Sequence, residues 1–475
     1  MKYIKLFNTH AEYEAFIATT EFIKPNVSVC KQENEVHYNP HTWADEYLTT
    51  VALESGTISF NIWKNMGTDY ITSISYSTDN GETWTTTNNV NNKSEHLSIT
   101  VDVSEGDKVM WKGEAEQLGC YDEDEYYDDY VGSFFSSTCE FDAQGNVMSM
   151  LYGDNFKGET TIEHNDAFAY FFSDYDGEEA CEIVNAKNLS LPATTLANYC
   201  YYQMFYNCTS LTTAPELPAT TLADYCYRYM FQGCTALTTA PELPATTLAH
   251  YCYHQMFCDC TSLTTAPQLL ATTLADSCYY GMFNGCTSLT TAPELPATTL
   301  ADYCYRYMFQ GCTALTTAPE LPATTLAHYC YDGMFRGCTN LTTAPQLPAT
   351  TLAHYCYYGM FNGCTSLTTA PELPATTLAD SCYYQMFYNC TSLTTAPELP
   401  ATTLANYCYY FMFYGCTSLN YIKAMFVTTP STTYTQNWVI GVASTGTFVK
   451  NSAATWNVTG VNGVPSGWTV QTASS

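Results

Sequence analysis

The sequence predicts an α+β multidomain chain: an N-terminal β-sandwich followed by a solenoid of nine 26-residue strand–helix units with atypical caps. Three observations predict it. From Leu191 the unit LPATTLANYCYYQMFYNCTSLTTAPE recurs without a break, placing its first cysteine at Cys200, Cys226, Cys252, Cys278, Cys304, Cys330, Cys356, Cys382 and Cys408. Equal spacing without insertion marks one supersecondary unit stacked on itself. Next, with Leu191 as position 1, positions 7, 10, 11, 14 and 15 (Ala, Cys, Tyr, Met, Phe) are the same in every copy, while 8, 9, 12, 13 and 16 vary. At about 100° per residue the two sets occupy opposite arcs of a helix. Finally, residues 46–150 alternate in runs such as TISFNIW, ITSISYS and SITVDV between Gly, Asn and Asp turns, the pattern of half-buried strands.

Each element follows in chain order. Residues 1–45 form an N-terminal attachment segment, and 46–150 a β-sandwich of the usual size of about 100 residues. Ser77-Thr78-Asp79-Asn80-Gly81-Glu82-Thr83-Trp84 fits the S-x-D-x-G-x-T-W hairpin known as an Asp-box, read here as a folding motif. The acidic run Tyr121–Tyr130 lacks the spaced ligands and glycine of an EF-hand, so a solvated loop is expected. Residues 151–190 form the N-terminal cap of the array, atypical because one face of a terminal repeat has no neighbour. In each unit of 191–424 a helix of roughly ten residues is expected, capped by the second Thr of ATTL and closed by Gly, Asn or Asp at position 17. A short strand carrying Leu211, Ala214 and Leu217 would follow, stacked in parallel with its copies and ended by the Pro of APE. Residues 425–475 form a C-terminal β cap.

A strand plus a short helix in roughly 20–29 residues is the leucine-rich-repeat plan. The MF-x-G-C-T-S-L segment resembles the BspA-like class of that family, found on bacterial and protist surface proteins, although Thr-Ala-Pro-Glu stands where the family has a more aliphatic strand. The ending TGTFVK…GVP-x-GW is similar to those that follow BspA-like arrays. FNTHAEYEAFI and NEVHYNP resemble N-terminal stretches of virion-associated proteins of phages that infect Bacteroidetes, which implies other virion proteins as partners of that segment.

Composition excludes several classes. Against 46 acidic residues stand 15 Lys and Arg, for a net charge of −31. Phosphate binding needs a basic surface, so nucleic acid is not an expected partner and an anionic membrane is disfavoured. No stretch has the length and apolarity of a membrane span, and the N-terminus has no apolar core of signal-peptide length. A virion component, assembled in the cytoplasm and released by lysis, fits that combination; a bacterial cell-surface location is the alternative.

Eighteen of the 23 cysteines are the pairs at positions 10 and 18. A disulfide framework and buried thiols are both open readings. A continuous helix would hold the two roughly 12 Å apart, too far to bond, which favours thiols. The C-x7-C spacing is a poor zinc site, and no metal or cofactor is expected.

No nucleophile–base constellation, phosphate loop or paired-carboxylate cleft stands out, so the chain reads as a non-enzymatic binding protein. A sialidase would need several arginines around a carboxylate, and all three here (Arg228, Arg306, Arg336) sit in the repeats. The candidate ligand-binding residues are the varying columns at positions 12 and 16. They are Tyr202, Tyr206, Arg228, His254, Tyr280, Arg306, Arg336, Tyr358, Tyr384, Tyr388, Tyr410 and Tyr414. A drifting surface fills with Lys and Glu, whereas these columns carry no Lys and are rich in recognition side chains. The expected ligand is a bacterial surface glycan or protein receptor, and a homo-oligomer is compatible with this. The rival readings are a BspA-like bacterial adhesin and a purely structural spacer or capsid decoration. His250, His328 and His354 at position 8 are read as exposed polar residues, and Glu216, Glu242, Glu294, Glu320, Glu372 and Glu398 as a solvated ladder.

Overall fold

The computed structural model describes residues 43–62, 70–88, 97–120, 131–173 and 180–473. The attachment segment up to residue 42 and the acidic run Tyr121–Tyr130 lie outside them.

Among the described residues eleven strands precede the array: β1 (Leu48–Ala52), β2 (Gly56–Ile62), β3 (Ile71–Ser77), β4 (Thr85–Asn88), β5 (Leu97–Val103), β6 (Lys108–Ala115), β7 (Gly119–Cys120), β8 (Val131–Gly132), β9 (Phe134–Ser137), β10 (Phe141–Asn146) and β11 (Ile183–Ser190). Six form a sheet in the order β11-β10-β1-β6-β3-β4, and three more the order β5-β2-β9. The alternation seen in the sequence is the reason: β5 and β6 bury every second residue. Phe60 of β2, Trp111 of β6 and Phe135 of β9 meet in one core, with Trp111 and Phe135 edge-to-face at 5.2 Å. Trp111 is fully buried, and its indole N–H donates to Thr50 Oγ1 at 3.1 Å.

The Asp-box residues close the β3–β4 hairpin. Asp79 accepts from the Ser77 hydroxyl at 2.7 Å and from the Thr83 N–H at 2.9 Å, while Asn80 and Gly81 take φ of 59° and 85°. Hydrogen bonds from the Thr83 side chain and backbone and from Ser77 hold the Asp79 carboxyl down at about 2.

The sheet and the array are continuous. Parallel to β10 runs β11, and beyond it Asn185 bridges Thr213 and Ser190 bridges Glu216 in the first unit. Further along, single parallel bridges hold the units on the strand side, as Thr239–Thr265 and Thr317–Thr343, and at the ATTL threonine ahead of the ribbon, as Thr273–Thr299. The far end is a parallel sheet of β12 (Tyr421–Ala424), β13 (Thr447–Lys450) and β14 (Thr469–Thr472).

The α+β expectation and the strand–helix unit are overturned. Among the described residues the one α-helix is α1 (Ser149–Tyr152), outside the array. In the units the expected helix is a ribbon of consecutive tight turns, with left-handed φ at positions 9, 13 and 17: Tyr199, Gln203 and Asn207 in the first copy, Tyr303, Tyr307 and Gly311 in the fifth. A left-handed residue every fourth position is incompatible with a right-handed helix.

Backbone pairing shows what replaces it. N–H groups at even positions donate back three residues, as Cys200 to Ala197 (3.4 Å), Tyr202 to Tyr199 (3.0 Å) and Met204 to Tyr201 (3.3 Å). Those at odd positions cross to the next unit: Tyr199 to Asp224, Tyr201 to Cys226, Gln203 to Arg228, Phe205 to Met230 and Asn207 to Gln232, at 2.8–3.1 Å. A helix would satisfy its donors internally beyond the first turn; the ribbon directs half of them to its neighbour, so each junction gains five bonds.

The fixed positions line the core. Phe at position 15 forms a column of near-parallel rings 5.3–5.8 Å apart, from Phe172 in the cap through Phe205 to Phe413. Tyr at position 11 forms a second, and both columns end against Trp438. The cysteines at positions 10 and 18 are buried free thiols, as is Cys139, and each thiol at position 18 from Cys234 to Cys416 donates to a Phe carbonyl at 3.0–3.1 Å. Burial pushes the Cys226, Cys304 and Cys356 thiols up to about 12, and the column tyrosines such as Tyr227 well above their usual range.

Candidate functional site

Positions 8, 9, 12, 13 and 16 lie on the opposite side of the ribbon from this core. Position 8 builds the outer rail. Asn198, Asp224, Asp276, Asp302 and Asp380 each accept the backbone N–H of the following unit's position 8 at 2.8–3.2 Å. The histidines there are exposed: His250 Nδ1 lies 3.6 Å from Asp276, and the rings of His328 and His354 stack at 5.2 Å. The glutamate ladder from Glu216 to Glu398 is also exposed, and Lys423 Nζ meets Glu398 at 2.9 Å.

The predicted columns split. At position 12, Tyr202 and His254 are buried, whereas Arg228, Tyr280, Arg306, Tyr358, Tyr384 and Tyr410 are half-buried. At position 16, Tyr206, Tyr388 and Tyr414 are half-buried and Arg336 is exposed. The structure gathers the last repeats into one aromatic group: Tyr358, Tyr384 and Tyr410 stack at 4.7 and 4.8 Å, and Tyr388 and Tyr414 at 4.7 Å. Burial and the neighbouring phenols push the Tyr384 hydroxyl up to about 12. Two of the three arginines, Arg228 and Arg306, stand apart from this group, each in a cage of rings. Arg228 lies 4.6 Å from the Tyr229 centroid and 5.5–5.9 Å from those of Tyr202, Tyr225 and Tyr251. Arg306 repeats the arrangement with Tyr307, Tyr280, Tyr303 and Tyr329.

The two cages come from identical units, 217–242 and 295–320, but close differently. Beside Arg228 stands His254, whose imidazole burial and the guanidinium hold down at about 3, and so neutral. Beside Arg306 stands Asp332, 1 % exposed, with Oδ2 2.7 Å from Arg306 Nε and no hydrogen-bond partner on Oδ1. Burial outweighs the attraction of Arg306 and Arg336 and raises the Asp332 carboxyl to about 7.

Sequence reasoning missed position 9. It is Tyr in seven units and Ser in two, and its rings stack face to face: Tyr199 on Tyr225 at 4.5 Å, Tyr225 on Tyr251 at 4.7 Å, Tyr303 on Tyr329 at 4.8 Å and Tyr329 on Tyr355 at 4.6 Å. The signal was present in that near-constancy. Position 13 was missed as well, where Tyr229, Tyr307 and Phe411 fill the space between columns.

The arrangement offers stacked rings, phenol hydroxyls and caged guanidinium groups. These are the parts of a binding surface. No curated protein matches the chain in sequence. The family described as "BspA type Leucine rich repeat region (6 copies)" matches residues 177–290, 276–379 and 349–435, more than half of the chain. The aligned span begins just before β11 and runs through every turn ribbon into the C-terminal cap, so it is the stacked array that carries the assignment: the chain belongs to the BspA-type leucine-rich-repeat family.

Proposed function

We propose that this is a non-enzymatic adhesion protein that recognises a bacterial surface receptor or glycan through the tyrosine-rich face of its array, and that it is carried on a phage virion as a fibre or appendage. Arrays of the BspA type are typical of surface adhesion and protein interaction, which supports the binding part of this reading. The observation that carries it is the contrast between a constant buried face and an outer face of Tyr, Arg and Asn without Lys. The virion part rests on the N-terminal resemblance, with other virion proteins as partners of residues 1–45. Neither nucleic acid nor membrane insertion belongs to this function; none of the described helices is long and apolar enough to cross a membrane. A bacterial cell-surface adhesin is the second reading, favoured by the cell-surface and extracellular settings typical of BspA-type repeats.

Two measurements test it. The full chain is assayed on a panel of gut bacteria beside a variant with Tyr384, Tyr388, Tyr410 and Tyr414 changed to Ser. Loss of adhesion with unchanged circular dichroism supports the tyrosine face; full retention removes it, and no adhesion by either protein leaves a structural spacer. Antibody against the chain that labels phage particles supports the virion location, and labelling of intact bacterial cells replaces it with the adhesin.

A further inference from the structure

Where along the tyrosine face a ligand would seat follows from ring stacking, on the premise that this face is the binding face. A ring stacked on both sides has buried both of its faces and offers only its edge and hydroxyl. Position 9 is such a ladder, interrupted at Ser277 and Ser381. At the first break the flanking rings are engaged by cations, Tyr251 by Arg228 at 5.9 Å and Tyr303 by Arg306 at 5.6 Å.

The second break differs. Tyr407 has Ser381 in the unit before it and Thr433 in the cap after it, where its N–H donates to the Thr433 carbonyl at 2.7 Å. Among the described residues its one ring contact is edge-on to Tyr410 at 5.5 Å, and 47 % of the residue is exposed. Its chain neighbour Asn406 donates its N–H to Asp380 Oδ1 at 3.0 Å and its side-chain amide to Oδ2 at 3.4 Å, so an amide paired with a carboxylate immediately precedes Tyr407 in the chain.

We propose that the open face of Tyr407, with Asp380 and Asn406 beside it, is a subsite for a neutral pyranose ring of a surface glycan. The C–H face of a sugar packs on an aromatic face, and its hydroxyls donate to carboxylate and amide oxygens. An acidic sugar would meet a carboxylate here, within a chain of net charge −31, and the three arginines lie in earlier units. The charge of Asp380 is already engaged by the two N–H groups of Asn406, which leaves a ring face and hydrogen-bond acceptors rather than an isolated charge as the recognition element.

The test uses the full chain and saturation-transfer NMR with titration. The probes are neutral tetrasaccharides of glucose, galactose, mannose and N-acetylglucosamine, a uronic-acid tetrasaccharide and an oligolysine peptide. The expected result is binding of at least one neutral saccharide, weakened at least tenfold by Tyr407→Ala and retained in Tyr407→Trp. Tyr329→Ala, whose ring is stacked on both sides, should change affinity less than twofold. Equal losses at Tyr407 and Tyr329, indifference to Tyr407→Ala, binding of only the uronic acid or the peptide, or no neutral saccharide bound each overturns the subsite. Adhesion to cells that persists in such a case leaves the wider function standing; absence of all adhesion removes both.

Discussion

Raising the pH should take this array apart over a narrow range, and the core columns say by how much. Each unit buries two thiols and one phenol in neutral form, as Cys304, Cys312 and Tyr305 do in the fifth. Burial raises all three in the folded state, Cys304 to about 12 and the others well above their usual values. Unfolded, the thiols ionise near 8.5 and the phenol near 10. A group whose folded value is raised stabilises the fold fully below its unfolded pKa and loses that contribution as pH climbs toward the folded one. The window therefore opens near pH 8.5 and extends to about 12. Near pH 10 an unfolded unit holds roughly 2.4 fewer protons than a folded one, a slope of about 3 kcal/mol per unit for each pH step. A domain has on the order of 5–15 kcal/mol in total, so a rise of one to two pH units beyond the onset should unfold the array cooperatively. Far-UV circular dichroism, phenolate absorbance and thiol labelling should change together. At pH 7.5 the label should reach no more than the two cysteines outside the 21 buried free thiols, Cys30 and Cys120. Buried thiols that titrate near 8.5 while the circular dichroism stays native would refute the reasoning.

Asp332→Asn should be more stable than the parent at pH 8 and lose that advantage at pH 4.5. A carboxyl raised from an unfolded value near 3.9 to about 7 loses roughly 4 kcal/mol of stability between those values. A stability difference independent of pH in urea titrations would rule this out. Gly333→Ala should destabilise more than Gly337→Ala. Both sites have positive φ, for a strain of about 1–2 kcal/mol, but a methyl at Gly333 runs into the Tyr307 ring, adding roughly 1–3 kcal/mol, whereas the nearest atom at Gly337 is 3.8 Å away. Equal melting temperatures would show that the ring is free to move aside. Asp79→Ala should loosen the β3–β4 hairpin by removing the acceptor of Thr83 and Ser77. The parent's contribution from Asp79, present above the unfolded value near 3.9, should fade as pH falls through about 2; amide exchange at Thr83 reads both effects.

The repeat, its register and its buried columns were legible because stacking forces the same side chain into the same place every 26 residues. The ribbon was not. Positions 10, 11, 14, 15 and 18 share one side at four residues per turn as well as at 3.6, and two turns are too few to separate the periods. Gly281, Gly333 and Gly359 at position 13, four residues before position 17, were the contrary evidence, since glycine is disfavoured inside a helix. Donors aimed at the next unit leave no trace in the sequence of one unit. On the outer face, Tyr202 and His254 drew notice by varying, yet they are buried; the tyrosines of position 9 escaped notice because they vary so little.

Because odd-numbered N–H groups reach across every junction to backbone carbonyls, these five bonds are indifferent to the side chains on the outer face, and the Asp and Asn acceptors of position 8 only add to them. Units can then be copied, removed or transposed whole without retuning the stack. The identical segments 217–242 and 295–320 record such a copy. Set before different neighbours, one sequence became two surfaces: an arginine beside a neutral imidazole in one place and beside a buried carboxyl in the other. Recombination between units thus composes new faces from old parts, and the outer face can change by rearrangement, ahead of any new point mutation.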